Sequence, residues 1–115
     1  MPRTLTVAAA QTGPVLSEDM ASMVPTALRM IDEAAERGVD ILTFCELFLS
    51  PFFPNRLRED FDHFFVDPDG EVMRTIRDAA RRRRVALVLP FGERATAGRY
   101  NAAMVVDADG RAVGT

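Results

Sequence analysis

Along the chain the spacing of apolar positions switches between the two periods of regular structure. Residues 4–11 (TLTVAAAQ) are short, β-branched at the centre and followed by Thr12-Gly13-Pro14, which predicts a strand and then a turn. Ser17, with Glu18 and Asp19 behind it, predicts a helix start: a capping hydroxyl, then acids at the positive end of the dipole. Apolar residues then recur at Met20, Met23/Val24, Ala27/Leu28, Ile31 and Ala34/Ala35, the stripe of a helix lying on a sheet. Pro25 fits only a first turn, so the regular part is expected to begin near Ser22, and Gly38 to close it. Val39 to Phe44 is a second apolar strand. With one helix between them, the two strands should be parallel and joined by a right-handed crossover.

Leu47 to Arg56 (LFLSPFFPNR) cannot be regular throughout, because Pro51 and Pro54 bracket Phe52 and Phe53. Asp60 to Phe65 predicts a helical turn. A second helix comes after Pro68-Asp69-Gly70-Glu71, with Val72, Ile76 and Ala79/Ala80 as its inward stripe, and ends in Arg81 to Arg84. Val85 to Phe91 predicts a third strand, Ala97-Gly98 a turn, Arg99 to Asp107 a fourth strand and Asp107 to Gly110 a hairpin turn. Arg111 to Thr115 begins a fifth. No repeat, low-complexity stretch or linker divides residues 1–115, so they read as one α/β unit. A last strand without cap or polar tail leaves an open edge. The order describes the opening part of a larger α/β sandwich, truncated within a strand.

Composition narrows the function classes. With 48% apolar and 27% charged residues and a net charge of -3, the 115 residues suit a globular body. Such a body hides about two-thirds of its unfolded surface. The balance argues against disorder and against a nucleic-acid partner. All 14 basic residues are arginine, so no ammonium group is available for chemistry within these residues. The single cysteine fits a reducing compartment. The first residues have no apolar signal core and no run is long enough to span a membrane, so the expected location is cytoplasmic.

Glu46 is the leading candidate for chemistry. It interrupts the apolar run from Ile41 to Leu49 at the carboxyl end of a predicted parallel strand, where open α/β sheets place ligand crevices. Desolvation there would raise its pKa and suit it to accept a proton. A buried structural carboxylate paired with an arginine explains the same pattern equally well. Cys45 is assigned to the core, because neighbours on a strand point to opposite faces and no cation nearby in sequence would activate the thiol. His63, among Asp60, Asp62, Asp67 and Asp69, does not make a metal centre: a calcium loop around Asp67 would need acids where Phe65 and Ile76 stand. Arg81 to Arg84 are read as a solvated helix end complementing the dipole. Gln11 to Pro14 lacks the glycines and lysine of a phosphate loop. No cofactor or metal is expected.

Three stretches carry a family likeness. Ala9-Ala10-Gln11-Thr12-Gly13-Pro14, Ala34 to Leu42 (AAERGVDIL) and Phe44 to Pro54 (FCELFLSPFFP) resemble, in order, the opening of the nitrilase or carbon–nitrogen hydrolase superfamily. Tyr100-Asn101 through Gly114 resembles the strand pair that precedes that family's catalytic lysine. Gln11-Thr-Gly-Pro and Phe52-Phe-Pro lean toward the N-carbamoyl amino acid amidohydrolases and N-carbamoylputrescine amidases. The resemblance implies the N-terminal part of a four-layer αββα sandwich and a Glu-Lys-Cys mechanism on linear, non-peptide carbon–nitrogen bonds. Only Glu46 carries over, as the general base. The lysine would be expected a few residues beyond Thr115 and the nucleophilic cysteine farther on, which makes these residues inactive alone. Cys45 stands where the family usually has proline. Phe52 and Phe53 match a stretch lining the substrate pocket. The family also implies a small amide or carbamoyl substrate and a homo-oligomer.

Two other readings compete. One is a non-enzymatic half-domain that pairs its open sheet edge with itself or another chain. The other, a doubly wound signalling or nucleotide-binding domain, would need acids where Gln11 and Pro90-Phe91 stand.

Overall fold

The computed structural model describes residues 2–56 and 60–115. Its strands are β1 (Val7–Ala9), β2 (Ile41–Thr43), β3 (Ala86–Ala95), β4 (Gly98–Val106) and β5 (Ala112–Gly114); its helices are α1 (Val24–Glu36) and α2 (Glu71–Arg83). One sheet contains all five strands in chain order. The first three run parallel, as expected for β1 and β2, with α1 between β1 and β2 and α2 between β2 and β3, and β3, β4 and β5 pair antiparallel. Both edge strands are only three residues long, a short template for edge pairing.

Local chemistry sets the boundaries. Pro25 occupies the first turn of α1, where its missing N–H costs nothing. A 3-10 turn, Met20–Met23, precedes it, capped by Asp19, whose carboxylate accepts from the Ala21 N–H at 3.0 Å. The cap is therefore Asp19 and not Ser17; the Ser17 hydroxyl instead accepts from the Asp19 N–H. Gly38, at φ +71, closes α1 as its glycine position predicts. α2 ends without glycine, on Arg84 at φ +59.

The helices cover one face of the sheet. Leu87, Leu89 and Phe91 of β3 and Met104 and Val106 of β4 are buried against Ala27, Ile31 and Ala34 of α1 and Met73, Ile76, Ala79 and Ala80 of α2. Met73 takes the deep position expected of Val72, which is half-buried at the margin. The alternate residues face away from the helices, and there Val7, Val105 and Val113 are exposed. A second aromatic cluster roots the segment between β2 and α2. Phe53 stacks on Phe64 at 4.7 Å and meets Phe61 and Phe65, each at 5.4 Å. From there the chain adds Val66 to the free side of β3: the Val66 N–H donates to the Gly92 carbonyl, and the Arg94 N–H to the Val66 carbonyl, each at 2.8 Å.

Candidate active site

β2 stops at Thr43, and the turn beyond it decides where Glu46 goes. The Phe44 N–H still donates to the Val88 carbonyl, and the Phe48 N–H to the Pro90 carbonyl. Between them Leu47 adopts φ +53, a left-handed conformation that costs a side-chain-bearing residue about 1–2 kcal/mol. The turn drives Leu47, Phe48, Leu49 and Ser50 inward, where all four are buried, and leaves Cys45 and Glu46 exposed at the rim. Burial of Leu47 and Phe48 offsets the strain.

Two expectations are thereby corrected. Glu46 is not desolvated by its apolar sequence neighbours, because those neighbours turn away from it. Cys45 is not a core residue: it is a free, exposed thiol, with its Sγ 3.7 Å from the Thr12 Oγ1. Strand alternation fails as a guide here because the strand has already ended.

Glu46 has one hydrogen-bond partner among the described residues. The Asn101 side-chain N–H donates to Glu46 Oε1 at 2.7 Å, reaching over β3, which lies between β2 and β4. No arginine pairs with it there, so the alternative of a structural Glu–Arg pair has no support. The second carboxylate oxygen is open to another group. The two adjacent side chains thus turn to different partners, Glu46 to Asn101 and Cys45 to Thr12. Sequence reasoning missed the Asn101 contact; Asn101 was present in the family-like stretch, but nothing local links positions fifty-five residues apart.

Phe52 and Phe53 separate. Phe53 is buried within the aromatic cluster, whereas Phe52 is half exposed. Three clefts, of about 180, 370 and 430 Å³, lie away from Glu46. The smallest sits between β1 and α1 beside Ala8, Met30, Glu33 and Arg37. The next lies between Val24 and Pro25 of α1 and Val72 and Thr75 of α2. The 430 Å³ cleft is bounded by Glu18, His63, Asp67 and Arg94. His63 Nε2 lies 2.8 Å from Glu18 Oε1, and among the described residues no three His, Cys, Asp or Glu side chains are placed to share a metal ion. The four arginines at the end of α2 are each engaged: Arg81 and Arg82 with Asp78, Arg83 with Asp32 and Arg84 with Asp109. Asp62 draws in Arg99 at 2.6 Å and Arg94 at 3.2 Å, and the Arg99 hydrogen bond, with help from Arg94 and His63, holds its carboxyl below the usual aspartate value. Among the described residues no helix is long and apolar enough to cross a membrane.

Known proteins resemble this chain in sequence and in fold. Residues 6–115 match the carbon–nitrogen hydrolase family model. N-carbamoylputrescine amidase of Solanum lycopersicum is 30% identical over 113 residues, covering 97% of this chain and 37% of its own length. Aliphatic nitrilase of Rhodococcus rhodochrous is also 30% identical, over 122 residues, with 96% of this chain and 33% of its own length covered. Among solved structures, the carbon–nitrogen hydrolase of Helicobacter pylori G27 superposes with a TM-score of 0.76 at 18% identity, covering 96% of this chain and 38% of that one. The C. elegans NitFhit protein superposes at 0.73 and 19% identity, with 95% and 27% covered. The chain thus spans roughly a third of the length of these relatives, and it has the α/β architecture of their nitrilase fold. It belongs to the carbon–nitrogen hydrolase family.

Proposed function

We propose that this chain contributes the general base, Glu46, to a hydrolase of linear carbon–nitrogen bonds, with N-carbamoyl amino acids and related amides as the substrate class. The observation that carries the reading is a carboxylate at the carboxyl-terminal end of a parallel strand, tethered through one oxygen by a neutral donor and open at the other. Its relatives named for amidase and nitrilase chemistry support the reaction class.

In this mechanism Glu46 takes the proton of a cysteine thiol supplied by sequence beyond Thr115. The thiolate attacks the amide or carbamoyl carbon. A lysine from the same further sequence stabilises the negative charge developing on oxygen. Collapse expels ammonia, carrying the proton that Glu46 returns, and leaves the acyl group on sulfur. Water hydrolyses it, as a thioester from an amide or as a thiocarbamate from an N-carbamoyl amino acid, the latter yielding the free amino acid and carbon dioxide. Residues 1–115 hold no lysine, and their one cysteine is turned to Thr12, so they supply the base and not its two partners. Phe52, exposed at the end of the same loop, contributes apolar surface to the substrate side. The working enzyme is cytoplasmic and homo-oligomeric in this reading.

Ammonia release from N-carbamoyl amino acids, measured for residues 1–115 and for a chain extended downstream through the nucleophile, tests it. The short chain should be silent and the extended one active, with Cys45→Ala leaving the extended chain's rate unchanged. Turnover by the short chain, or its loss on Cys45→Ala in the long one, contradicts the assignment.

A further inference from the structure

An exposed glutamate has three rotatable bonds, and ordering such a side chain costs about 1–2 kcal/mol. A base must be within hydrogen-bond reach of the proton it accepts, and a misplacement of about 1 Å can cost ~10²-fold in rate. Something rigid must therefore hold the Glu46 carboxylate. The turn containing Leu47 fixes its backbone; the side chain needs a second anchor.

We propose that Asn101 is that anchor, a positioning residue that fixes the Glu46 carboxylate with one oxygen directed to the thiol. This deepens the function proposed above and rests on Glu46 being the base. Asn101 stands well inside β4, between Tyr100, paired with Glu93, and Ala102, paired with Phe91, so its backbone is held on a long antiparallel ladder. It lies on the sheet face opposite the helices, since Met104 and Val106 alternate into the core. Its amide occupies Oε1 at 2.7 Å. The chemical type of the donor matters as much as its place. An arginine there would orient the carboxylate but also stabilise its charge strongly and weaken it as a base; a neutral amide orients it at a smaller cost in basicity. The chain has 14 arginines, yet among the described residues none pairs with this carboxylate.

The test uses isosteric and truncating variants of the downstream-extended, active chain. Asn101→Ala should lower kcat by about 10- to 100-fold with KM changed less than about twofold, because the loss falls on the chemical step. Asn101→Asp, which keeps the shape but sets a like charge beside Glu46, should be worse than Asn101→Ala. A residue that merely packs would show the reverse order, since Asp fills the same space. On residues 1–115 themselves, the Asn101 side-chain amide resonances should shift on Glu46→Gln. Unmoved resonances, or an Asn101→Asp enzyme as fast as wild type while Glu46→Gln is dead, overturn the positioning role alone. A Glu46→Gln enzyme that keeps its rate overturns the base assignment beneath it.

Discussion

The two faces of the sheet are built from the same strands and yet behave as different surfaces. On the helix side, Leu87, Leu89, Phe91 and Val106 have no exposed area and share one core with both helices. On the other side, Val7 is 68% and Val105 43% exposed; Asn101 stands on that face, and Cys45 and Glu46 at its rim. Period-two alternation produces both faces, so the pattern of a strand says that a residue faces away from its neighbour and nothing about what meets it there. Stability resides on the covered face and the candidate chemistry on the rim of the open one.

Substitutions on the two faces probe that contrast. Phe91→Ala should destabilise by about 3–5 kcal/mol, since it opens a cavity in a closed core, while Val105→Ala should cost under about 1 kcal/mol. Urea unfolding followed by circular dichroism measures both, and equal losses would mean that the open face is packed in solution. Gly110→Ala comes next. The β4–β5 turn lies so close to α2 that an added Cβ would be 2.7 Å from the Arg77 carbonyl and 2.9 Å from the Arg81 Cβ, at a φ of +79 that L residues disfavour. A loss of about 1–3 kcal/mol is expected, and an unchanged midpoint would show that the turn is not seated on the helix.

Acid should produce a smaller, graded effect. Asp62 is held below the ordinary aspartate value of 3.8 by the hydrogen bond from Arg99, Asp78 by that from Arg81, and Asp107 by the backbone N–H of Arg111. A lowered value in the folded chain means stabilisation that is fully present above 3.8 and lost as pH falls through the folded values. Stability should thus decline from about pH 4 downward, and less steeply in Asp62→Asn; a decline of unchanged slope would mean that Asp62 has no part in it. The exposed Glu33–Arg37 pair at 2.6 Å should matter least. Arg37→Ala is expected to change stability by no more than about 0.5 kcal/mol in the same urea titration.

Much of the fold was legible because it is local. The period of α1, the proline in its first turn, Gly38 at its end and the Asp107–Gly110 hairpin all follow from residues within a few positions of one another. Glu46 could also be singled out, as a carboxylate where a parallel strand ends. Its surroundings could not, because they depend on one left-handed residue, Leu47, that carries no glycine or asparagine signal. The partner of Glu46 lies two strands away and is brought near only by the β3–β4 pairing. The same holds for Val66, whose bond to β3 reflects aromatic packing around Phe53 more than any strand propensity of its own.

The proposed function turns on whether Glu46 accepts the proton of a thiol that residues 1–115 do not themselves supply. The decisive quantity is the rate of ammonia release from an N-carbamoyl amino acid by the extended chain, compared between wild type and Glu46→Gln. A fall of about 10²- to 10⁴-fold, the usual contribution of a positioned base, is expected. A Glu46→Gln enzyme within a few-fold of wild type would refute the role of Glu46 as the base.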